Sequence, residues 1–188
     1  LQFCRYLKPL VGLGCNVTFL APKPLIEVLG VLRTYCTLKD QVEQDLTRFD
    51  FQSPLLSLPL LFGTTINTIP LDIPYLQFDR DKKLQFESRL SKGKNIKVGI
   101  VWNGGHRKDS PELWAINKRR NIELEQISRL KDIPGVDFYS LQKGDPAEAE
   151  FKAKKDVIWP ESIDCAPWLD DFSDTAALIE NLDLIISV

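Results

Sequence analysis

Methionine is absent from all 188 residues, and histidine occurs once. No apolar run approaches the ~18–20 residues that a membrane-spanning helix needs, so no transmembrane segment is expected. With Leu1 in first place, the missing methionine leads to the expectation that the chain is a piece of a longer protein. A secretory leader is not expected either: Arg5 and Lys8 break the apolar opening, and no small-residue cleavage site follows it. A single histidine, His106, leaves no zinc-ligand spacing, and none of Cys4, Cys15, Cys36 and Cys165 forms a C-x-x-C pair. The expected state is four reduced, mostly buried thiols in a cytoplasmic protein. H-E-x-x-H, G-x-S-x-G, the P-loop and G-x-G-x-x-G are all missing, so no bound metal or cofactor is expected. The basic excess of a dedicated nucleic-acid binder is missing as well: 24 Lys and Arg face 26 Asp and Glu, for a net charge of −2.

What remains is an ordinary globular composition, 44% hydrophobic and 27% charged, long enough for one domain or two small ones. Phe3, Tyr6, Leu7 and Leu10 recur at helical spacing, and Gly12 and Gly14 stand where that helix would stop. Residues 16–21 read as a short strand, and Leu25, Val28, Leu29 and Leu32 as the apolar stripe of a second helix. Weaker strands are expected near residues 36–42 and 49–53. The segment 55–62, with Pro59 inside it, fits either a short kinked helix or a packed loop.

From Gly63 the chain reads as a connector. Pro70 and Pro74 forbid a regular central strand, a polar helix follows over 82–90, and residues 91–95 form a solvated linker. A second unit starts at Ile96. Its cleanest strand is Val98–Trp102, followed by a long polar loop to Arg120 and a helix with Asn121 as its expected N-cap. Strands at 136–141, 157–159 and 184–188 and helices at 146–155 and 173–182 complete it. Alternating helix and strand implies an α/β fold with parallel sheets, one β-α-β unit in each half. The halves differ in charge, net +3 over residues 1–95 and net −5 over 96–188.

Ligands of open α/β sheets sit beyond the carboxyl ends of the strands. That directs attention to the loops after Trp102 and Leu141. The first carries six basic and two acidic residues between Lys97 and Arg120, and its glycines, Gly104 and Gly105, permit close approach of a ligand to backbone N–H groups. Arg120 stands near a helix start, where a phosphate is favoured. A diphosphate cradle and a solvated loop both fit this composition. In the second loop Lys143 offers a point charge and Gln142 a hydrogen bond to a base or ribose, and an exposed turn fits it equally. His106 reads as a surface residue, Asp170 and Asp171 as a loop or helix-start feature. Trp102, Trp159 and Trp168 read as packing residues, with Trp114 better placed to stack on a ring.

Several blocks carry a resemblance: Gln2-Phe3-Cys4-Arg5-Tyr6, residues 54–65 (P-L-L-S-L-P-L-L-F-G-T-T), Val98–Trp102, Arg120-Asn121-Ile122, residues 140–144 (S-L-Q-K-G) and residues 171–178. In order and spacing these resemble the glycosyltransferase-like domain found after tetratricopeptide repeats in many bacterial proteins. That domain is similar to glycosyltransferase family 9, the heptosyltransferases. The resemblance implies a GT-B-like architecture: two Rossmann-like units with parallel sheets facing a cleft, the second truncated at its C-terminal end. The implied boundaries are an acceptor-side unit over 1–78, whose start is missing, a connecting helix and linker over 79–95, and a donor-side unit over 96–188.

Carried over position by position, the resemblance makes Asn103, Gly104, Arg120, Gln142 and Lys143 donor-binding. The implied partners are a UDP-, GDP- or ADP-linked sugar and an acceptor that is protein, lipid or glycan. The leaving diphosphate would be stabilised by basic side chains without a metal. The glycine-aspartate turn that precedes Gln2 in relatives, and the aspartate-threonine segment that follows Val188, are absent, so no catalytic residue is assigned. The expected function is a fragment of a glycosyltransferase, inactive as an isolated piece. The alternative is a non-catalytic sugar-nucleotide-binding or protein-interaction module.

Overall fold

The computed structural model describes residues 1–42, 45–104 and 119–188. They form two compact units, residues 1–77 and 78–188. Both contain parallel sheet flanked by helices, as the alternation of elements implies. No helix among the described residues is long and apolar enough to cross a membrane.

In the first unit a 3-10 turn, Gln2–Tyr6, leads into helix α1, Leu7–Gly12. Gly14, at φ 87°, turns the chain out of α1, a conformation a side chain resists. Strands β1 (Thr18–Leu20) and β2 (Thr37–Lys39) pair in parallel. The second helix expected over 25–32 is not a regular α-helix. Two 3-10 segments, Lys23–Leu25 and Gly30–Thr34, joined by a turn, replace it, yet the stretch still buries Val28, Leu29 and Leu32. Pro22, Pro24 and Gly30 supply poor continuity for α-helix, so burial alone organises the stretch. No strand forms over 49–53, and Phe51 is exposed. The 55–62 segment is a 3-10 turn, Leu55–Ser57, running into the short helix α2, Leu58–Leu61. Pro59 sits in its first turn, where its missing N–H costs nothing.

The second unit is built on a four-stranded parallel sheet in the order β5-β4-β3-β6. The strands are β3 (Ile96–Val101), β4 (Val136–Ser140), β5 (Ile163–Asp164) and β6 (Leu184–Ser187). The chain thus moves outward from β3 through β4 to β5, then returns to pair β6 on the other side of β3. Alternation along β3 divides the core. Val98, Ile100 and Trp102 face α4 (Leu124–Ile127) and α5 (Ala147–Ile158), packing with Phe138, Phe151 and Trp159.

The other face is covered by α3 (Arg80–Arg89) and α6 (Phe172–Ile179), around Tyr139, Leu141, Phe86, Leu90 and Leu178. Gly99 lies on this face because nothing larger fits. A Cβ there would come within 2.9 Å of side-chain carbons of Ile185, Leu182 and Leu141.

Two helix ends are fixed by aspartates. Asp79 accepts from the N–H groups of Asp81 and Lys82 at the start of α3, and Asp171 forms a reciprocal capping box with Asp174 at the start of α6. Lys82 then joins the two helices through Asp174 at 2.7 Å. The helix read as a connector is therefore part of the second unit's packing. Ser91 beyond it donates its N–H to the Tyr139 hydroxyl at 3.0 Å.

Two expectations are corrected here. Residues 157–158 end helix α5 rather than starting a strand; β5 comes six residues later. Asn121 is not an N-cap: Glu123 takes that position before α4, and the Asn121 side chain is engaged elsewhere. Cys4, Cys36 and Cys165 are buried, Cys15 is exposed, and all four thiols are free.

Candidate functional site

The strand order β5-β4-β3-β6 has its reversal point between β3 and β6. In doubly wound sheets the crevice for ligands opens at such a point, at the carboxyl ends of the strands. The residues there are Trp102, Asn103 and Gly104 after β3, Gln142 and Lys143 after β4, and Val188 after β6. Segment 120–122 returns to the same edge. Ile122 donates its N–H to the Trp102 carbonyl at 3.0 Å, and the Asn121 side-chain oxygen accepts from the Gly104 N–H at 2.9 Å.

Gln142 is buried, 2% exposed, and both the oxygen and the nitrogen of its amide bond to the end of β3. Its oxygen accepts from the N–H groups of Trp102 (3.2 Å) and Asn103 (3.0 Å), and its nitrogen donates to the Asn103 carbonyl (3.1 Å). The side chain acts as a substitute peptide, extending the β3–β4 ladder beyond its last backbone pair. Such buried groups must be paired, because leaving them unpaired costs about 1–3 kcal/mol each.

Lys143 points its ammonium at two carbonyls, Ala166 at 3.1 Å and Leu169 closer still. They bracket the 3-10 turn Ala166–Trp168 that follows β5, so Lys143 ties the second loop to the third. One of its three N–H donors is left over. Arg120 is exposed, with no hydrogen bond or ion pair to another described residue. The helix after it, α4, has only four residues and starts three positions beyond Asn121, so it offers Arg120 no dipole of consequence.

Of the five residues expected at a donor site, Asn103, Gly104, Gln142 and Lys143 follow the carboxyl ends of neighbouring strands, and Arg120 is linked to that edge only through its chain neighbours Asn121 and Ile122. Gln142, Lys143 and the Gly104 N–H hold the protein to itself. The Asn103 and Arg120 side chains make no hydrogen bond to another described residue. Gly105, His106, Trp114 and Lys118 lie outside the described residues. The sequence did not point to Asn121 as a participant. Its signal was weak: an asparagine before a helix suggests a cap, and only tertiary contact shows otherwise.

Two other places on the second unit gather polar groups. A groove of about 550 Å³, lined by Leu84, Ser88, Ser91, Lys97 and Asn181 among others, lies at the amino end of β3. That is the opposite end from the reversal-point crevice. Glu123, Glu125 and Glu150 bring carboxylate oxygens within 4.8 Å of one another. Lys154 already sits between two of them, 2.9 Å from Glu125 and 2.7 Å from Glu150. Those contacts hold the Glu125 carboxyl below its ordinary range and push the Lys154 ammonium up. The cluster is an ion-pair lattice between α4 and α5, not a metal cage.

Trp102 keeps one loose end: its indole N–H is buried beside Phe151, 5.2 Å between rings, and has no acceptor among the described residues. No protein-family model matches the chain, and no curated protein or solved structure matches it either.

Proposed function

We propose that the second unit binds the nucleotide-sugar donor of a glycosyltransferase of GT-B type, related to the heptosyltransferases, that moves a sugar to a protein, lipid or glycan acceptor. The observation that carries this reading is the meeting of Asn103, Gly104, Gln142 and the 120–122 segment at the carboxyl edge of β3, beside the reversal point of the sheet. A UDP-, GDP- or ADP-sugar would place its diphosphate against Arg120 and the free donor of Lys143, with Asn103 as a neutral partner. Gln142 supports the turn from behind. Charge-assisted hydrogen bonds to a diphosphate are about twice as strong as neutral ones, which suits a departing nucleotide diphosphate. No residue is assigned to the acid or base step.

Titration calorimetry of the 188-residue chain with UDP-, GDP- and ADP-sugars tests the reading. Saturable binding to one of them is expected. Arg120→Ala should weaken it by about tenfold or more, the loss of one charged hydrogen bond, with the melting temperature unchanged.

A second reading has its own support. Three of the five polar positions are satisfied internally, by Gln142 to the end of β3, Lys143 to two carbonyls and Gly104 to Asn121. That is what a non-catalytic interaction module with a rigid loop edge would show. Absence of binding to all three nucleotide classes favours it.

A further inference from the structure

Three successive backbone N–H groups, those of Trp102, Asn103 and Gly104, leave the end of β3, and each is met by a side-chain amide oxygen. The two amides that meet them differ. Gln142 is buried and makes three hydrogen bonds, so its removal would strand donors inside the protein. Among the described residues Asn121, itself half-buried, makes one, to the N–H of an exposed glycine. The Gln142 pair of bonds is built to stay, whereas the Asn121 bond can be exchanged for another acceptor at small cost.

We propose that Asn121 is a self-supplied plug. Its side-chain oxygen occupies the Gly104 N–H in the free protein and is displaced when a diphosphate oxygen takes that donor. The inference rests on the nucleotide-sugar reading above and adds to it the donor that the ligand takes and the group that it displaces. The energetic ordering favours the exchange. A neutral amide acceptor is replaced by an anionic oxygen, whose bond to the same N–H is shorter and stronger. The freed Asn121 amide returns to water. The position is suited to the exchange, since Gly104 is the first exposed donor beyond β3, at the reversal point of the sheet. Arg120 directly precedes Asn121 in the chain, so a basic residue neighbours the plug in sequence.

The plug predicts opposite effects from two substitutions. Asn121→Ala removes the competitor and should tighten diphosphate binding by about three- to tenfold, the range of one exposed neutral hydrogen bond. Asn121→Asp keeps the acceptor but makes it anionic. It should hold the Gly104 N–H more firmly, repel the ligand and weaken binding by about tenfold or more.

The experiment is titration of the 188-residue chain and both variants with UDP, GDP, ADP and inorganic pyrophosphate. It is followed by calorimetry and by the amide resonance of Gly104 in nitrogen-15 spectra. The proposal expects that resonance to move downfield on saturation in the parent chain, with Asn121→Ala binding tighter and Asn121→Asp weaker. Binding in which the Gly104 resonance stays still, or in which Asn121→Ala binds equally or more weakly, overturns the plug and leaves the nucleotide reading standing. Failure of the parent and of both variants to bind any of the four probes overturns both.

Discussion

The first unit leaves Phe51, Leu60 and Ile66 more than four-fifths exposed, while the second buries Trp102, Tyr139, Phe151 and Leu178 to 2% or less. Both stretches are rich in apolar residues, so composition does not explain the contrast. Element length does. Seven of the twelve prolines fall within residues 1–77, and the strands there are three residues long. Short strands and 3-10 turns present too few side chains in a row to close over a common core. The second unit has β3 and β4, six and five residues long, and helices on both faces of the sheet. Longer regular elements repeat apolar residues at the right period and so bring more of them into one core.

The sharpest way to break that comparison is to hollow the second unit. Trp102→Ala should cost about 3–5 kcal/mol, the range for large aromatic truncations in a packed core, read from urea denaturation. Removal of the indole N–H, which has no partner among the described residues, offsets part of that loss. Next in size is Gln142→Leu, which fills similar space but strands the N–H groups of Trp102 and Asn103. A loss of about 1–3 kcal/mol is expected, with faster amide exchange confined to residues 102–104.

Acid should act on the second unit through a smaller effect. Burial tends to raise the Asp174 carboxyl, but the Lys82 ammonium and the N–H groups of Asp170 and Asp171 outweigh it and hold it below the ordinary carboxylate range. A carboxyl depressed in the folded state contributes stability above its unfolded pKa, about 4, and loses it as pH falls through the folded value. Asp137, which accepts from Ser91 and Asn95, is depressed too and follows the same course. Among the described residues of the first unit the depressed carboxyl is Asp45, whose partner Thr47 is only two residues away, so no separate elements depend on it. Urea midpoints measured from pH 6 to pH 2 should therefore fall on the acid side, and Asp174→Asn should flatten that fall. Smallest of all, Leu60→Ala should change stability by no more than about 0.5 kcal/mol, as exposed substitutions do. A loss above about 2 kcal/mol would show that Leu60 is covered in solution and that the two units are less different than they look.

How much was readable beforehand varied with period. The run Val98–Trp102 is apolar throughout, as strands buried on both faces are, and it forms β3. The triad Val157-Ile158-Trp159 looked equally strand-like. It closes a helix because Ala147, Phe151 and Ile158 already continue a helical stripe that three residues cannot reveal. Strand β5, at two residues, carries no pattern at all. Of the candidate site, the loops after β3 and β4 were visible as polar, glycine-bearing breaks after apolar strands. The grip of Gln142 on a backbone 39 residues away was not, because nothing local distinguishes an amide aimed at solvent from one aimed at a peptide.

The order of residues alone settled the alternation of helix and strand, the parallel α/β class and the strand ends at which polar chemistry gathers. Those follow from periodicity and punctuation, which act over a few residues. The return of β6 to the far side of β3, the packing of helix α3 onto the second sheet and the pairing of Asn121 with Gly104 were decided by the folded chain. Each joins segments far apart in sequence, and such contacts are chosen by shape and hydrogen-bond satisfaction in three dimensions, where local propensity has no reach.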